Sequence, residues 1–407
     1  MLRKNLQNQN LVLSRHNDSR IDWRIIFIVI IFMIISFFSL YFALRADESN
    51  SIIRTLFTQA LWWIFGWLVA ILLMHLDSDQ LNRITPTVYW LGIILLILVL
   101  IGYSRSLAST NQAKSWFSFG SITFQPSEFM KPAFILMLAR IVYKHNKKYP
   151  EHSVKGDFTL IGKMLLCFFP VLLLILMQPD FGSSLVFLAI FVGIFLVSGI
   201  LNRILVPLVL FFVSLFSLML FSVTTSVGRN ILIHLGFKAY QFSRIDVWLH
   251  PASNKGNADA YQLYQSIKAI GSGKLTGSGF TNFPVNVPVR ESDMIFSIIG
   301  EGAGFIGGIL LIILYFFLIY SLIKRVFETK NAFYAYVISG VVFMILFHVF
   351  ENVGMTMGLV PLTGIPLPFI SQGGSALIAN MIGIGLALSM QYHNFKSDFS
   401  QRGNNFR

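Results

Sequence analysis

Arg290-Glu291-Ser292-Asp293 places three ionisable side chains at the end of a long polar stretch, directly ahead of the apolar run that opens at Met294. The chain has 407 residues, is 55% hydrophobic and only 12% charged, so charge at such an edge needs a reason. A carboxylate held there can belong to a functional site. It can equally start a helix, with Ser292 or Asp293 as N-cap and the helix dipole favouring the negative charge. Spacing alone leaves both readings open.

A second constellation is Gln125-Pro126-Ser127-Glu128 followed by Lys131. Glu128 and Lys131 stand at i and i+3, on one helix face. Either they form a salt bridge at a helix start, or Lys131 offers positive charge to an anionic ligand while Glu128 positions it. An ion pair at membrane depth favours the second reading. Trp116, after Lys114-Ser115, reads as an interfacial anchor or as part of a site. Asp180 in Gln178-Pro179-Asp180-Phe181-Gly182 reads as an N-cap. Pro368 to Ser375, with Ser371 inside it, offers hydroxyls and backbone N–H groups ahead of a helix start, which suits an anion or merely a tight turn. Glu351-Asn352 is a further polar pair in an apolar run, with His348 beside it reading as a packed side chain. No metal-ligand cluster, Walker loop, dinucleotide fingerprint or nucleophile elbow is present.

Apolar segments must position these residues. Ten can be placed, near 25–44, 56–76, 86–103, 129–145, 159–178, 183–200, 204–223, 295–323, 332–352 and 376–392. Each is about the 20 residues that a spanning helix needs. Mean hydropathy is +0.69, and the class is an all-α, polytopic integral membrane protein. Residues 1–24 are basic and lack a cleavage site, so they read as a tail ahead of the first anchor. The single cysteine, Cys167, excludes an internal disulfide.

The net charge of +13 reports topology and not nucleic acid. Arg3, Lys4, Arg15, Arg20 and Arg24 precede the first segment, and Arg83 follows the second. Arg140, Lys144, Lys147, Lys148 and Lys155 follow the fourth; Arg203 follows the sixth. Lys324, Arg325 and Lys330 follow the eighth; Lys396, Arg402 and Arg407 follow the tenth. Every second connection is basic, which puts both termini in the cytoplasm. The organisation expected is a tail over 1–24, one transmembrane domain over 25–395 and a tail over 396–407. A large extracellular loop, 224–293, lies between the seventh and eighth helices. Within that loop Phe242, Ile245 and Leu249, and then Leu263, Ile267 and Ile270, recur at helical spacing and predict two short amphipathic helices. The Gly- and Pro-rich connection 354–375 has no charge and predicts a re-entrant or capping loop, since such backbone at membrane depth needs protein or a wet cavity around it.

Taken together, five strings resemble the SEDS family of shape, elongation, division and sporulation proteins. They are Gln125-Pro126-Ser127-Glu128…Lys131, Gln178-Pro179-Asp180-Phe181-Gly182, Tyr261-Gln262 through Gly273, Glu291-Ser292-Asp293-Met294-Ile295-Phe296, and Pro366 through Ser375. The resemblance spans about residues 20–395. The stretches Val289 to Phe296 and Thr363 to Phe369 are most similar to the RodA branch of Gram-positive bacteria. Many members carry Arg where this chain has Ser115, and Tyr where it has Gln372.

The resemblance implies a multi-pass enzyme of the bacterial cell membrane, a peptidoglycan glycosyltransferase that polymerises lipid II during elongation and shape maintenance. It implies partnership with a class B penicillin-binding protein and other membrane proteins of the elongation complex. The family's required aspartate falls on Asp293, and its fourth-helix glutamate and lysine on Glu128 and Lys131. Asp293 is then the base. Lys131 is the first candidate for the diphosphate, with Arg45, Arg244 and Arg290 behind it, and Trp116 and Ser371 as further substrate contacts. No cofactor is assigned, and a divalent cation, Mg or Mn, has a place in such chemistry. A lipid II flippase, a non-catalytic scaffold, and a division or sporulation member of the family are the alternatives.

Overall fold

The computed structural model describes residues 21–47, 51–111, 113–120, 122–234, 243–253, 256–281 and 283–404. In chain order the helices are α1 (Trp23–Ala46), α2 (Ile52–Met74), α3 (Ser78–Gly102), α4 (Arg105–Asn111), α5 (Pro126–Lys148), α6 (Val154–Leu176), α7 (Phe181–Leu196) and α8 (Asn202–Thr224). They continue with α9 (Ser226–His234), α10 (Ser243–Leu249), α11 (Ala258–Ser272), α12 (Ile295–Gly302), α13 (Gly304–Glu328), α14 (Ala332–Thr356) and α15 (Gly374–Asn404). Among the described residues the only strands are β1 (Phe117–Phe119) and β2 (Ile122–Phe124), an antiparallel hairpin with Phe117 opposite Phe124.

All ten predicted apolar segments fall on helices. Among the described residues eight helices (α1, α2, α3, α6, α8, α13, α14 and α15) are long and apolar enough to cross a membrane. Of the other two, α7 has only 16 residues, and α5 carries Glu128, Lys131, Arg140, Lys144, Lys147 and Lys148. Side chains that start helices are the ones the sequence offers. Asp22 accepts from the Arg24 and Ile25 amides, Asp77 and Gln80 form a capping box on α3, and Asp180 accepts from the Ser183 amide. α2 lies along α15, α3 along α5, and α14 against α5, α7 and α13. Small residues set the close approaches. A Cβ on Gly385 would meet Ala70 backbone at 2.8 Å, and one on Gly193 would meet the Phe343 ring at 2.3 Å.

The expected eighth segment, 295–323, is not one helix. The chain breaks at Ala303, where Gly304 takes φ +65°, so α12 and α13 are separate. Loop backbone closes the break from the side. Ser278 and Gly279 amides donate to Glu301 and Gly302 carbonyls, while Phe305 and Ile306 amides donate to Lys274 and Leu275 carbonyls. Four of the groups that the break would orphan are thereby satisfied. Gly277 (φ +86°) makes this approach feasible, since a Cβ there would lie 2.0 Å from the Gly302 carbonyl oxygen.

Three more differences concern connections. The predicted outer loop 105–124 contains α4 and the hairpin, and the polar region after α8 begins with α9, which periodicity did not reveal. The two amphipathic helices of that region are α10 and α11, with Phe242 lying outside the described residues. The last helix continues to Asn404, past the apolar segment expected near 376–392. The charge-free connection enters the bundle, as its composition requires. Ile365, Leu367, Phe369 and Ile370 are buried, Phe369 stacks near Phe32 and Trp63, and Tyr315 hydroxyl donates to the Pro368 carbonyl.

Candidate active site

Asp293 sits in a turn just ahead of α12, and the turn is held from outside itself. Gln372 amide donates to the Glu291 carbonyl (2.9 Å), Ser371 hydroxyl to the Ser292 carbonyl (2.7 Å), and Asn352 Nδ2 to the Asp293 carbonyl (2.8 Å). Three consecutive carbonyls are thus fixed by α14 and by the loop before α15. Asn352 also donates to the Ile365 carbonyl at 2.8 Å, tying both connections together. Val289 closes the turn at φ +55°, a strained conformation for a β-branched residue. Across from the carboxylate is Gly364, at φ +73°; a Cβ there would come within 3.3 Å of Asp293 Oδ2.

The N-cap reading of this turn does not hold. Met294 is the N-cap of α12, and no side chain caps it. Relieved of that task, Asp293 is a half-buried residue. Burial pushes it up from 3.8 to about 7, opposed by a Ser292 hydrogen bond and assisted by the nearby Glu291 charge. Asp47, at the end of α1, is also raised, first by burial and then by Glu291, with Arg290 acting the other way.

Lys131 projects from the first turns of α5 and is 2% exposed. Its Nζ donates to Glu128 Oε1 at 2.5 Å and lies 3.1 Å from His348 Nε2. The other ring nitrogen, His348 Nδ1, is 2.6 Å from the Met344 carbonyl and must donate to it. His348 Nε2 therefore presents a lone pair to the ammonium. An ammonium has three N–H donors, so one remains uncommitted among the described residues. His348 and Asn352 are i and i+4 on α14, hence on one face and about 6 Å apart along the axis. Lys131 contacts the first and Asp293 the second, so α14 brings a base and a cation to adjacent turns. Sequence reasoning noted both α14 residues, Asn352 as half of a polar pair and His348 as a packed side chain, but gave neither a place in the site. The available signal was polar side chains at helical spacing within an apolar helix.

The other candidates separate. Arg290 is fully buried; it pairs with Glu301, donates to the Val285 carbonyl at 3.1 Å and lies over the Phe283 ring. These contacts are all with protein, so as a diphosphate partner it ranks behind Lys131. Ser371 is likewise committed, accepting from the Leu367 amide at 2.8 Å while donating to Ser292, so its hydroxyl positions the turn. Arg45 is exposed in the last turn of α1. Arg244 opens α10, and its side chain lies outside the described residues. Trp116 lines a cavity of about 280 Å³ together with Gln59, Trp62, Glu291, Ser292 and Gln372. Among the described residues no three His, Cys, Asp or Glu side chains converge where a metal ion could sit, so the residues present form no ready cage for a divalent cation.

Residues 19–396 match the cell cycle protein family of FtsW, RodA and SpoVE. RodA of Treponema pallidum is 30% identical, the match covering 84% of this chain and 91% of that protein. A probable peptidoglycan glycosyltransferase FtsW of Thiomicrospira cyclica is also 30% identical, over 80% of this chain and 79% of the relative. A solved structure concerned with coordination of polymerisation and crosslinking by a peptidoglycan synthase complex is 28% identical, with a TM-score of 0.73, and covers 92% of this chain and 98% of its own. The bundle, the fixed aspartate turn and these likenesses agree, and the chain belongs to the FtsW, RodA and SpoVE family of multi-pass membrane proteins.

Proposed function

We propose that this peptidoglycan glycosyltransferase polymerises lipid II with Asp293 as general base and Lys131 as the charge that receives the leaving diphosphate. The observation that carries the reading is the Asp293 carboxyl near neutrality, in a turn held by three outside donors, with Lys131 of α5 held against His348, one turn along α14 from the Asn352 that holds Asp293. The acceptor 4-hydroxyl oxygen attacks the donor's anomeric carbon. Its proton passes to Asp293, and the carbon–oxygen bond to the diphosphate breaks with its electron pair leaving on oxygen. Configuration inverts, giving a β-1,4 link from an α-linked donor. One carboxylate suffices, because diphosphate is already a good leaving group and needs charge more than a proton.

The elongation role suits the RodA relative, the likeness to a synthase complex supports a class B penicillin-binding protein as partner, and an FtsW relative of equal identity keeps division as the alternative. A lipid flippase would use a broken helix to hold its cargo. In this chain loop backbone satisfies the break between α12 and α13, which favours the enzyme.

Asp293→Asn is expected to lower lipid II polymerisation by about 10²–10⁴-fold, since shape is kept and the base lost. Wild-type rate should rise with pH through about 7, because only the ionised carboxyl accepts the proton. The folded value lies above the unfolded one, so stability present at low pH is lost as pH rises through about 7. Asp293→Asn should therefore melt higher than wild type at pH 8 and alike near pH 4. An asparagine variant that polymerised at the wild-type rate would refute the assignment.

The topology that goes with this reading has ten spans, the 224–293 loop outside and tails 1–24 and 396–407 inside. In intact cells, tags at residues 5 and 400 should resist external protease while a site near residue 255 is cut; cleavage at either terminus would sink it.

A further inference from the structure

The cavity beside the Asp293 turn is lined by one charged side chain, and that one is an acid. Glu291 faces it together with Trp62, Trp116, Thr55, Thr58 and Gln59. Asp47 is close enough for Glu291 to raise its carboxyl, so a second acid lies nearby. A diphosphate would meet a carboxylate on this wall and no cation among its described lining residues; the lysine that suits it, Lys131, is not in the lining but against His348 of α14. Two indoles, threonine hydroxyls, an amide and a carboxylate match a different chemistry. A pyranose ring has an apolar C–H face for an aromatic ring and a rim of hydroxyl donors for acceptors such as Glu291.

The walls are built in advance. Trp62 lies flat on Gly374, where a Cβ would come within 2.2 Å of the indole. Glu291 has its carbonyl held by the Gln372 amide, which also uses an N–H at the approach to α15 that an anion would otherwise want. At about 280 Å³ the cavity falls just under the roughly 300–1,000 Å³ of sites that enclose a drug-sized ligand, so it takes one sugar ring and not a disaccharide with its peptide. Its wall includes Ser292, one residue from the base.

We infer that this cavity is the acceptor-sugar site, in which Trp62, Trp116 and Glu291 recognise an uncharged N-acetylated hexose and present its hydroxyl to Asp293. The diphosphate lies outside it, toward Lys131. The inference rests on the glycosyltransferase reading but separates two binding functions that the reading leaves merged.

The test uses the full-length Asp293→Asn chain in detergent, so that binding is measured without turnover. One probe is the methyl glycoside of the N-acetylglucosaminyl-N-acetylmuramoyl disaccharide, free of lipid and phosphate. The other is undecaprenyl diphosphate. Glu291→Gln and Trp62→Ala are expected to weaken disaccharide binding by about ten- to a hundredfold, the loss of a charge-assisted hydrogen bond or an aromatic wall, and to leave undecaprenyl diphosphate binding unchanged. Lys131→Met should do the reverse. Trp62→Phe, which keeps an aromatic face, should retain part of the sugar affinity, and matching melting temperatures show each variant folded. No disaccharide binding, unchanged binding in Glu291→Gln and Trp62→Ala, or equal weakening of both probes would overturn the assignment. Failure of the enzyme reading looks different: wild type would form no polymer from lipid II, whatever the probes do.

Discussion

Lys131 with Glu128 and Arg290 with Glu301 are both buried acid–base pairs close to the Asp293 turn, but they differ in what each cation has left over. Lys131 spends one donor on a carboxylate and one on a neutral imidazole, which leaves a third and leaves net charge undiminished by the histidine. Arg290 is packed against Phe283, Val285 and Glu301 on the protein side, and its Nε and Glu301 Oε1 are buried without partners among the described residues. In the proposed mechanism the first pair offers charge to a ligand, whereas the second ties the polar loop to α12. Burial of a pair does not distinguish the two roles; variants that remove one or both members of each pair do.

The largest effect should come from breaking the second pair. Arg290→Met leaves the Glu301 carboxylate buried and alone, which typically costs about 3–5 kcal/mol. Its melting temperature in detergent should fall sharply, with polymerisation lost alongside. Arg290→Met/Glu301→Leu removes both charges, so most of the stability should return, and activity with it, because Arg290 only holds the loop. A double variant that folds but makes no glycan would show that Arg290 touches the substrate after all.

This contrast was only partly legible in the sequence. Asp293, Glu128 and Lys131 stood out because charge is rare in an apolar chain, and i, i+3 spacing gave the Glu128–Lys131 pair directly. Arg290 ranked as a ligand-binding candidate for the same reason, being three residues from Asp293. Its partner lies eleven residues on, beyond a turn and most of a helix, where no local periodicity reaches. His348 is 217 positions from Lys131. The break at Ala303 was hidden because Gly302-Ala303-Gly304 is apolar enough to continue a span, while the carbonyls and amides that close the break belong to residues 274–279. Local chemistry is written in local spacing, and what positions it is written in contacts between distant segments.

A smaller loss, confined to activity, is expected at the first pair. Lys131→Met should cost about 1.5–3 kcal/mol of transition-state stabilisation, one to two decades in rate. Lys114→Met should cost less, since Lys114 is exposed, lies over the Tyr103 ring and is screened by water. Glu128→Gln/Lys131→Met removes the unpaired carboxylate, so it should regain stability yet stay inactive, the opposite of the arginine double variant. Recovered polymerisation would make both pairs structural and end the comparison.

The smallest effect should be at His348, which acts through Lys131 and touches no reacting atom in this proposal. His348→Phe fills the ring's place but offers the ammonium no acceptor, so Lys131 keeps Glu128 and loses its aim along α14. About one neutral-acceptor hydrogen bond is at stake, worth roughly tenfold in turnover if realised in the transition state. His348→Gln provides a carbonyl oxygen within a similar reach and should recover most of that loss. A merely space-filling histidine would give the reverse order, with the ring-like phenylalanine tolerated and glutamine not. Turnover and melting temperature measured on the two variants decide it. If Phe matches wild type, the orientation of Lys131 is set by Glu128 alone, and the cation on the ligand side is positioned no more elaborately than the one that faces protein.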